Sequence, residues 1–119
     1  MIPVLDLFAG PGGLAEGFGS FPHSRNALFR IVLSIEKDPK ARETLKLRGF
    51  FRRFSEGAPD AYYDFFRRTI ELDELYRRYP EEAKRADKEV WLAVLGEPKE
   101  YPSSKIDDRT AEALDRAED

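Results

Sequence analysis

The sequence contains no cysteine, a single histidine, a single tryptophan and a single methionine among its 119 residues. Without cysteine there is no disulfide scaffold, no thiolate metal site and no thiol nucleophile within these residues. One histidine and no cysteine leave only scattered carboxylates, so no metal is expected as a cofactor. His23 stands in a Pro22-His23-Ser24-Arg25 stretch with no second histidine or carboxylate beside it and reads as a loop residue. No run approaches the roughly 20 apolar residues that a membrane span needs. The start, Met1-Ile2-Pro3-Val4, has no basic segment ahead of an apolar one, so no secretory signal is expected and a cytoplasmic setting is the default. The length suits one small domain or a piece of a larger one. A hydrophobic share of 41% with 13% aromatic residues argues against general disorder.

The formal charge of −3 averages over two unlike parts. Residues 1–49 carry 7 basic and 5 acidic side chains, and residues 50–119 carry 13 and 18. The first part holds most of the glycines and both strand-like runs. The apolar run Ile2 to Phe8, interrupted by Pro3 and Asp6 and ending at a glycine cluster, predicts a buried strand of a parallel sheet. A short helix is expected over Leu14 to Phe18. Phe29 to Ile35, rich in β-branched residues, predicts a second strand. Asp38-Pro39 opens a further helix, with Asp as N-cap and Pro in the first turn, which is expected to run to Arg48 and stop at Gly49. Strand, glycine turn, helix, strand, helix is the start of a doubly wound α/β domain.

Beyond Gly49 the spacing becomes helical. Tyr62, Phe65, Phe66, Thr69, Leu72 and Tyr76 share one face, and Ala83, Ala86, Val90, Trp91, Val94 and Leu95 form a second. Ile106, Thr110, Ala113, Leu114 and Ala117 form a third, after a Pro102-Ser103-Ser104 stretch that reads as a loop or hinge. The expected division is therefore a β-α-β-α unit over 1–49 and a charged helical insertion or subdomain over 50–119, with no third strand. Trp91 and the Tyr62/Phe66 stripe read as core. Arg52-Arg53, Arg67-Arg68 and Arg77-Arg78 lie near aromatic residues and could touch phosphates. The acidic balance of this half favours a solvated face with ion pairs.

The chemistry is concentrated in Asp6-Leu7-Phe8-Ala9-Gly10-Pro11-Gly12-Gly13-Leu14-Ala15-Glu16-Gly17-Phe18. Glycines between a buried strand and a helix allow close backbone approach to a ligand, and the helix start offers unpaired N–H groups. A nucleotide or nucleoside site is the physical expectation; the alternative is a tight turn that only packs strand on helix. Gly10-x-Gly12-x-x-Ala15 formally matches the dinucleotide fingerprint, with Glu36 placed to grip a ribose. The ATP-binding P-loop is excluded, because no Gly-Lys-Ser/Thr follows.

Asp6-Leu7-Phe8-Ala9-Gly10-Pro11-Gly12-Gly13, with Gly17-Phe18 behind it, resembles the first motif of DNA cytosine-5 methyltransferases. Ser34-Ile35-Glu36-Lys37-Asp38, followed by a helix containing Ala41 and Leu45, resembles the second. Together the two motifs cover roughly residues 2–49. The resemblance implies the N-terminal part of a Rossmann-like, S-adenosylmethionine-dependent methyltransferase domain with an α-helical insertion. It implies that Phe8 contacts the adenine and that Ala9, Gly10, Gly12, Gly13 and Leu14 wrap the ribose and methionine portion. Glu36 would bind the ribose hydroxyls. Lys37 stands where the family usually has a large apolar residue on the adenine, and its aliphatic stem can cover the ring.

The sequence departs from the family further on. The family attacks cytosine C6 with the thiolate of a Pro-Cys-Gln segment, assisted by the glutamate of a Glu-Asn-Val motif, and neither is present here. In some bacterial members a charged helical insertion separates the second motif from the cysteine strand, and residues 50–117 resemble it. The expectation is an N-terminal fragment, inactive alone, whose parent methylates a cytosine flipped out of DNA. Its partners would be DNA, through the complete protein, and the remainder of the methyltransferase or a cysteine-bearing subunit. The alternatives are a non-catalytic binding module or split-methyltransferase subunit and, third, a dinucleotide-binding oxidoreductase fragment.

Overall fold

The computed structural model describes residues 1–19, 28–54 and 57–118; the His23 segment lies outside them. β1 (Ile2–Leu7) ends at the glycine turn, and α1 (Gly13–Gly19) follows. β2 (Phe29–Glu36) lies parallel to β1, with Ile2 opposite Phe29 and Asp6 opposite Ser34. The register shifts between Val4 and Leu5, which leaves Val32 as the extra residue of a bulge. Residues 31–36 of β2 are all buried, the signature of a central strand in a parallel sheet. Pro3 sits in β1, which has only one paired side in the sheet, so its missing N–H is tolerated.

α2 (Pro39–Phe51) begins as the sequence predicts, with Asp38 Oδ1 accepting from the Lys40 N–H at 3.2 Å. It does not stop at Gly49, which is buried inside the helix facing α5. A Cβ at Gly49 would stand 3.6 Å from the Ala86 Cβ, an ordinary contact, so the residue lies between two packed helices and is not a C-terminus. The boundary expected at 49/50 thus falls within α2.

The helical insertion is built from α3 (Asp60–Phe66), α4 (Leu72–Arg78) and α5 (Pro80–Glu89). The single face expected over 62–76 is split. Arg68 adopts φ of +62°, the Arg68 N–H bonds the Phe65 carbonyl and the Thr69 N–H bonds the Asp64 carbonyl. This pair of bonds is a Schellman stop, which normally has glycine at the left-handed position. With α2, these helices enclose an aromatic core. Phe50 is fully buried and meets Phe54, Tyr76 and Tyr79 edge-on, with Ala61, Leu75, Ala83 and Ala86 beside it. Phe66, read as core from its spacing, is 58% exposed.

The expectation of no third strand is incorrect. β3 (Val90–Leu92) follows α5 directly and pairs in parallel with Ser34, Ile35 and Glu36 of β2, giving the order β1-β2-β3. Val90 is already extended, at φ −120° and ψ 120°. The Val-Trp-Leu run suits a pleated surface, and pairing with β2 overrides a helical period that continues through it. Pro102-Ser103-Ser104 is the entrance to α6 (Ser103–Glu118), and not a hinge. α6 supplies Ala113 to a second core made with Val32, Leu33, Ile35 and Ala93, and Trp91 packs at its edge against Tyr101. Arg109 fastens α6 to the α5–β3 junction, lying over the Trp91 ring and donating to the Lys88 carbonyl at 3.3 Å. The whole is a mixed α/β arrangement with a three-stranded parallel sheet, which fits the Rossmann-like architecture expected from the sequence.

Candidate functional site

The glycine turn and the end of β2 meet at the end of the sheet where both strands finish. The Ala9 N–H bonds the Ile35 carbonyl at 3.0 Å, which extends the β1–β2 ladder into the turn. One residue further, the Gly10 N–H points at Glu36 and bonds its Oε2 at 2.5 Å. Glu36 Oε1 accepts from the backbone N–H groups of Lys37, at 2.9 Å, and Asp38, at 3.1 Å. These donors, that of Asp38 first, hold the Glu36 carboxyl below its usual range despite the opposing effect of burial. Glu36 is therefore ionised and fixed in orientation. With three of about four lone-pair positions taken, it keeps one acceptor position on Oε2.

Backbone conformation explains the glycines at two points. Gly12 has φ of +96° and is buried, and a Cβ there would stand 2.7 Å from the Leu45 Cδ2 of α2. Its carbonyl accepts from Arg48 Nη1 at 3.3 Å and from the Glu16 N–H at 3.0 Å. Gly10, at φ of +58°, faces open space instead: a Cβ there would meet nothing within 4 Å. Gly12 thus seats the turn on α2, and Gly10 leaves a clear surface beside Glu36. α1 is under two turns long, so the turn is shaped by these backbone contacts more than by a long helix dipole.

Phe8 also has positive φ, +56°, and its side chain is 76% exposed. A large apolar residue held in the left-handed region and turned to solvent is strained and unburied at once. Leu14 is exposed as well, Ala9 is half-buried, Gly13 opens α1 and Lys37 is exposed. The structure therefore brings Phe8, Ala9, Gly10, Gly12, Gly13, Glu36 and Lys37 to one rim, with Leu14 on the first turn of α1.

Asp6 belongs to the first motif, and sequence reasoning assigns it no role. It is buried one position before the strand end, and its Oδ2 has no hydrogen-bond partner among the described residues. Burial first, and the charge of Glu36 second, raise its carboxyl above the usual range. The signal was present, since a charged residue interrupting a buried apolar strand needs a reason. Among the described residues, no cluster of three or more His, Asp or Glu could hold a metal, and no helix is long and apolar enough to cross a membrane.

Over 109 residues, the chain is 33% identical to the Type II methyltransferase M.Bpa9945I of Bacillus paralicheniformis. This similarity supports a methyltransferase family. It covers 85% of this chain but only 23% of the relative, so the chain spans about a quarter of that protein's length. No family model and no solved structure match the chain. An aligned stretch of that length extends well beyond the glycine turn, so the helical insertion and β3 belong to the similarity.

Proposed function

We propose that the chain is the N-terminal cofactor-binding portion of an S-adenosylmethionine-dependent DNA cytosine-5 methyltransferase, with the catalytic cysteine outside these residues. The observation that carries this reading is the joining of the glycine turn to a buried, ionised Glu36 at the ends of two adjacent parallel strands. Such an end of a parallel sheet is where α/β domains bind nucleosides. The similarity to a Type II methyltransferase favours S-adenosylmethionine over a dinucleotide.

The residues fit that cofactor. Glu36 offers its remaining acceptor position to a ribose hydroxyl, and a second hydroxyl is accommodated if the Gly10 N–H yields Oε2. Phe8 presents an exposed ring edge or face for the adenine, and the stem of Lys37 can cover it. The open side of Gly10 admits the chain that joins ribose to methionine. Once bound, the cofactor supplies an activated methyl group on its sulfonium. The residues of this chain bind and orient it; the thiolate that activates cytosine, and the surface that holds DNA, come from the rest of the protein or from a cysteine-bearing partner.

Calorimetry of the purified chain with S-adenosylhomocysteine and with NAD tests the reading. S-adenosylhomocysteine binds saturably, Glu36→Ala weakens it about tenfold or more, and NAD gives no heat. NAD binding without S-adenosylhomocysteine binding would move the site to dinucleotide chemistry.

A further inference from the structure

Five cations converge at a different place. Arg30 at the start of β2, Arg53 after α2, Arg85 and Lys88 on α5, and Arg116 on α6 line one cavity of about 290 Å³. Val32 and Ala113 are among its apolar lining. Their ion pairing sets these cations apart from the arginines on the open surface of the second half. Arg67, Arg77 and Arg78 pair with Asp64 and Glu74 on an open surface, as the charge balance predicts. Arg30, Arg85 and Lys88 make no ion pair among the described residues. The acid in the cavity wall is Glu89, which is buried and shared between Arg52 and Arg53. Arg116 is held at the rim by Glu112.

The cavity is therefore left with more positive charge than its acids can neutralise. Burial, the largest cause, pulls the Arg53 guanidinium below its usual range; the attraction of Glu89 opposes this, and the repulsion of Arg52, Arg30 and Arg85 adds to the lowering. The Arg53 Nε lies buried without an acceptor among the described residues. Like charges are not gathered in a concave, part-apolar site without cost, and an anion removes that cost. Guanidinium groups in particular match the oxygens of a phosphate.

We propose that this cavity is a phosphate-binding site, in which Arg30, Arg53, Arg85, Lys88 and Arg116 hold a phosphate group remote from the glycine turn. β2 begins at this cavity and finishes at Glu36, so the two sites lie toward opposite ends of the same strand. The phosphate belongs either to a polynucleotide backbone or to a free or small-molecule phosphate. The site does not depend on which cofactor the glycine turn takes.

Amide chemical shifts of the 119-residue chain, followed during titration with inorganic phosphate and separately with a short DNA duplex, test this. Saturable shifts are expected at Arg30, Val32, Lys88 and Ala113. Arg30→Gln/Arg85→Gln lowers the affinity about tenfold or more without lowering thermal stability, and leaves S-adenosylhomocysteine binding unchanged. Saturation by inorganic phosphate assigns the free anion, and saturation by duplex alone assigns a polynucleotide backbone. Arg67→Gln/Arg77→Gln removes the same charge from the open surface and keeps the affinity. The proposal is overturned if neither probe moves the cavity residues, or if the two double variants weaken binding equally.

Discussion

Phe8 and Phe50 are the same side chain in opposite circumstances. Phe8 is 76% exposed on a left-handed backbone at the end of the sheet, and Phe50 is wholly buried among aromatic rings in the helical half. The same contrast runs through the acids. Asp6 is buried with an oxygen that has no partner among the described residues, whereas the buried Glu89 is clasped by two arginines. In these two pairs the strand-end side chain departs from what folding favours and its counterpart in the helical half follows it. The helical half has its own exceptions in Arg68 and in the Tyr76 hydroxyl, which is buried without a partner among the described residues. Strain and unmet polar groups gather at functional sites because the surrounding structure tolerates them there. α2 supplies that tolerance, since it carries Leu45 and Arg48 against the glycine turn and Phe50 into the aromatic core of the helical insertion.

The widest gap is expected between the two phenylalanines. Phe50→Ala destabilises the fold by about 3–5 kcal/mol, because the cavity cannot collapse among so many rings. Phe8→Ala changes stability by no more than about 0.5 kcal/mol, yet it weakens S-adenosylhomocysteine binding. Denaturant unfolding of both variants, with calorimetry on the second, measures the contrast.

Gly12→Ala follows, with a loss of about 1–3 kcal/mol from a forced positive φ and the close Leu45 contact. The same substitution at Gly10 meets no neighbour and costs only the backbone strain, so chemical denaturation should rank Gly12→Ala as the more damaging.

Asp6→Asn is expected to raise the thermal midpoint at neutral pH. A carboxyl whose folded pKa is raised favours the folded state below its unfolded pKa, and opposes it as pH rises through the folded value. The gain from the amide therefore shrinks as the pH falls to where Asp6 takes up its proton. Glu36 acts in the opposite sense. Its lowered pKa gives stability that is present above the unfolded value and lost as the pH falls through the folded one. Thermal melts across the acid range separate the two carboxyls.

A small gain belongs to Arg68→Gly, which relieves a left-handed arginine at the end of α3. A gain of about 0.5–1 kcal/mol in unfolding free energy is expected.

The strand-end region was also the more legible in the sequence. An apolar run ending in glycines, a β-branched run ending in Glu36, and an Asp-Pro cap each carry a local cause that tertiary packing did not override. β3 escaped because Ala83, Ala86, Val90 and Val94 keep a helical period straight through it, and three residues cannot display the alternation of a strand. Gly49 misled because a glycine at a helix end and one between two packed helices look alike in sequence. The break at Arg68 was hidden because its left-handed conformation is rare for arginine. Of the phosphate cavity the sequence offers only Arg53, in the Arg52-Arg53 pair, since its cations come from four separate segments and meet only in the fold.

The most direct test of the glycine turn as a cofactor site is amide shift mapping with S-adenosylhomocysteine. Shifts concentrated at Ala9, Gly10, Gly13 and Lys37, and lost in Glu36→Ala, are the predicted result. Saturable shifts confined to α3, α4 and α6, with the turn unmoved, would contradict it.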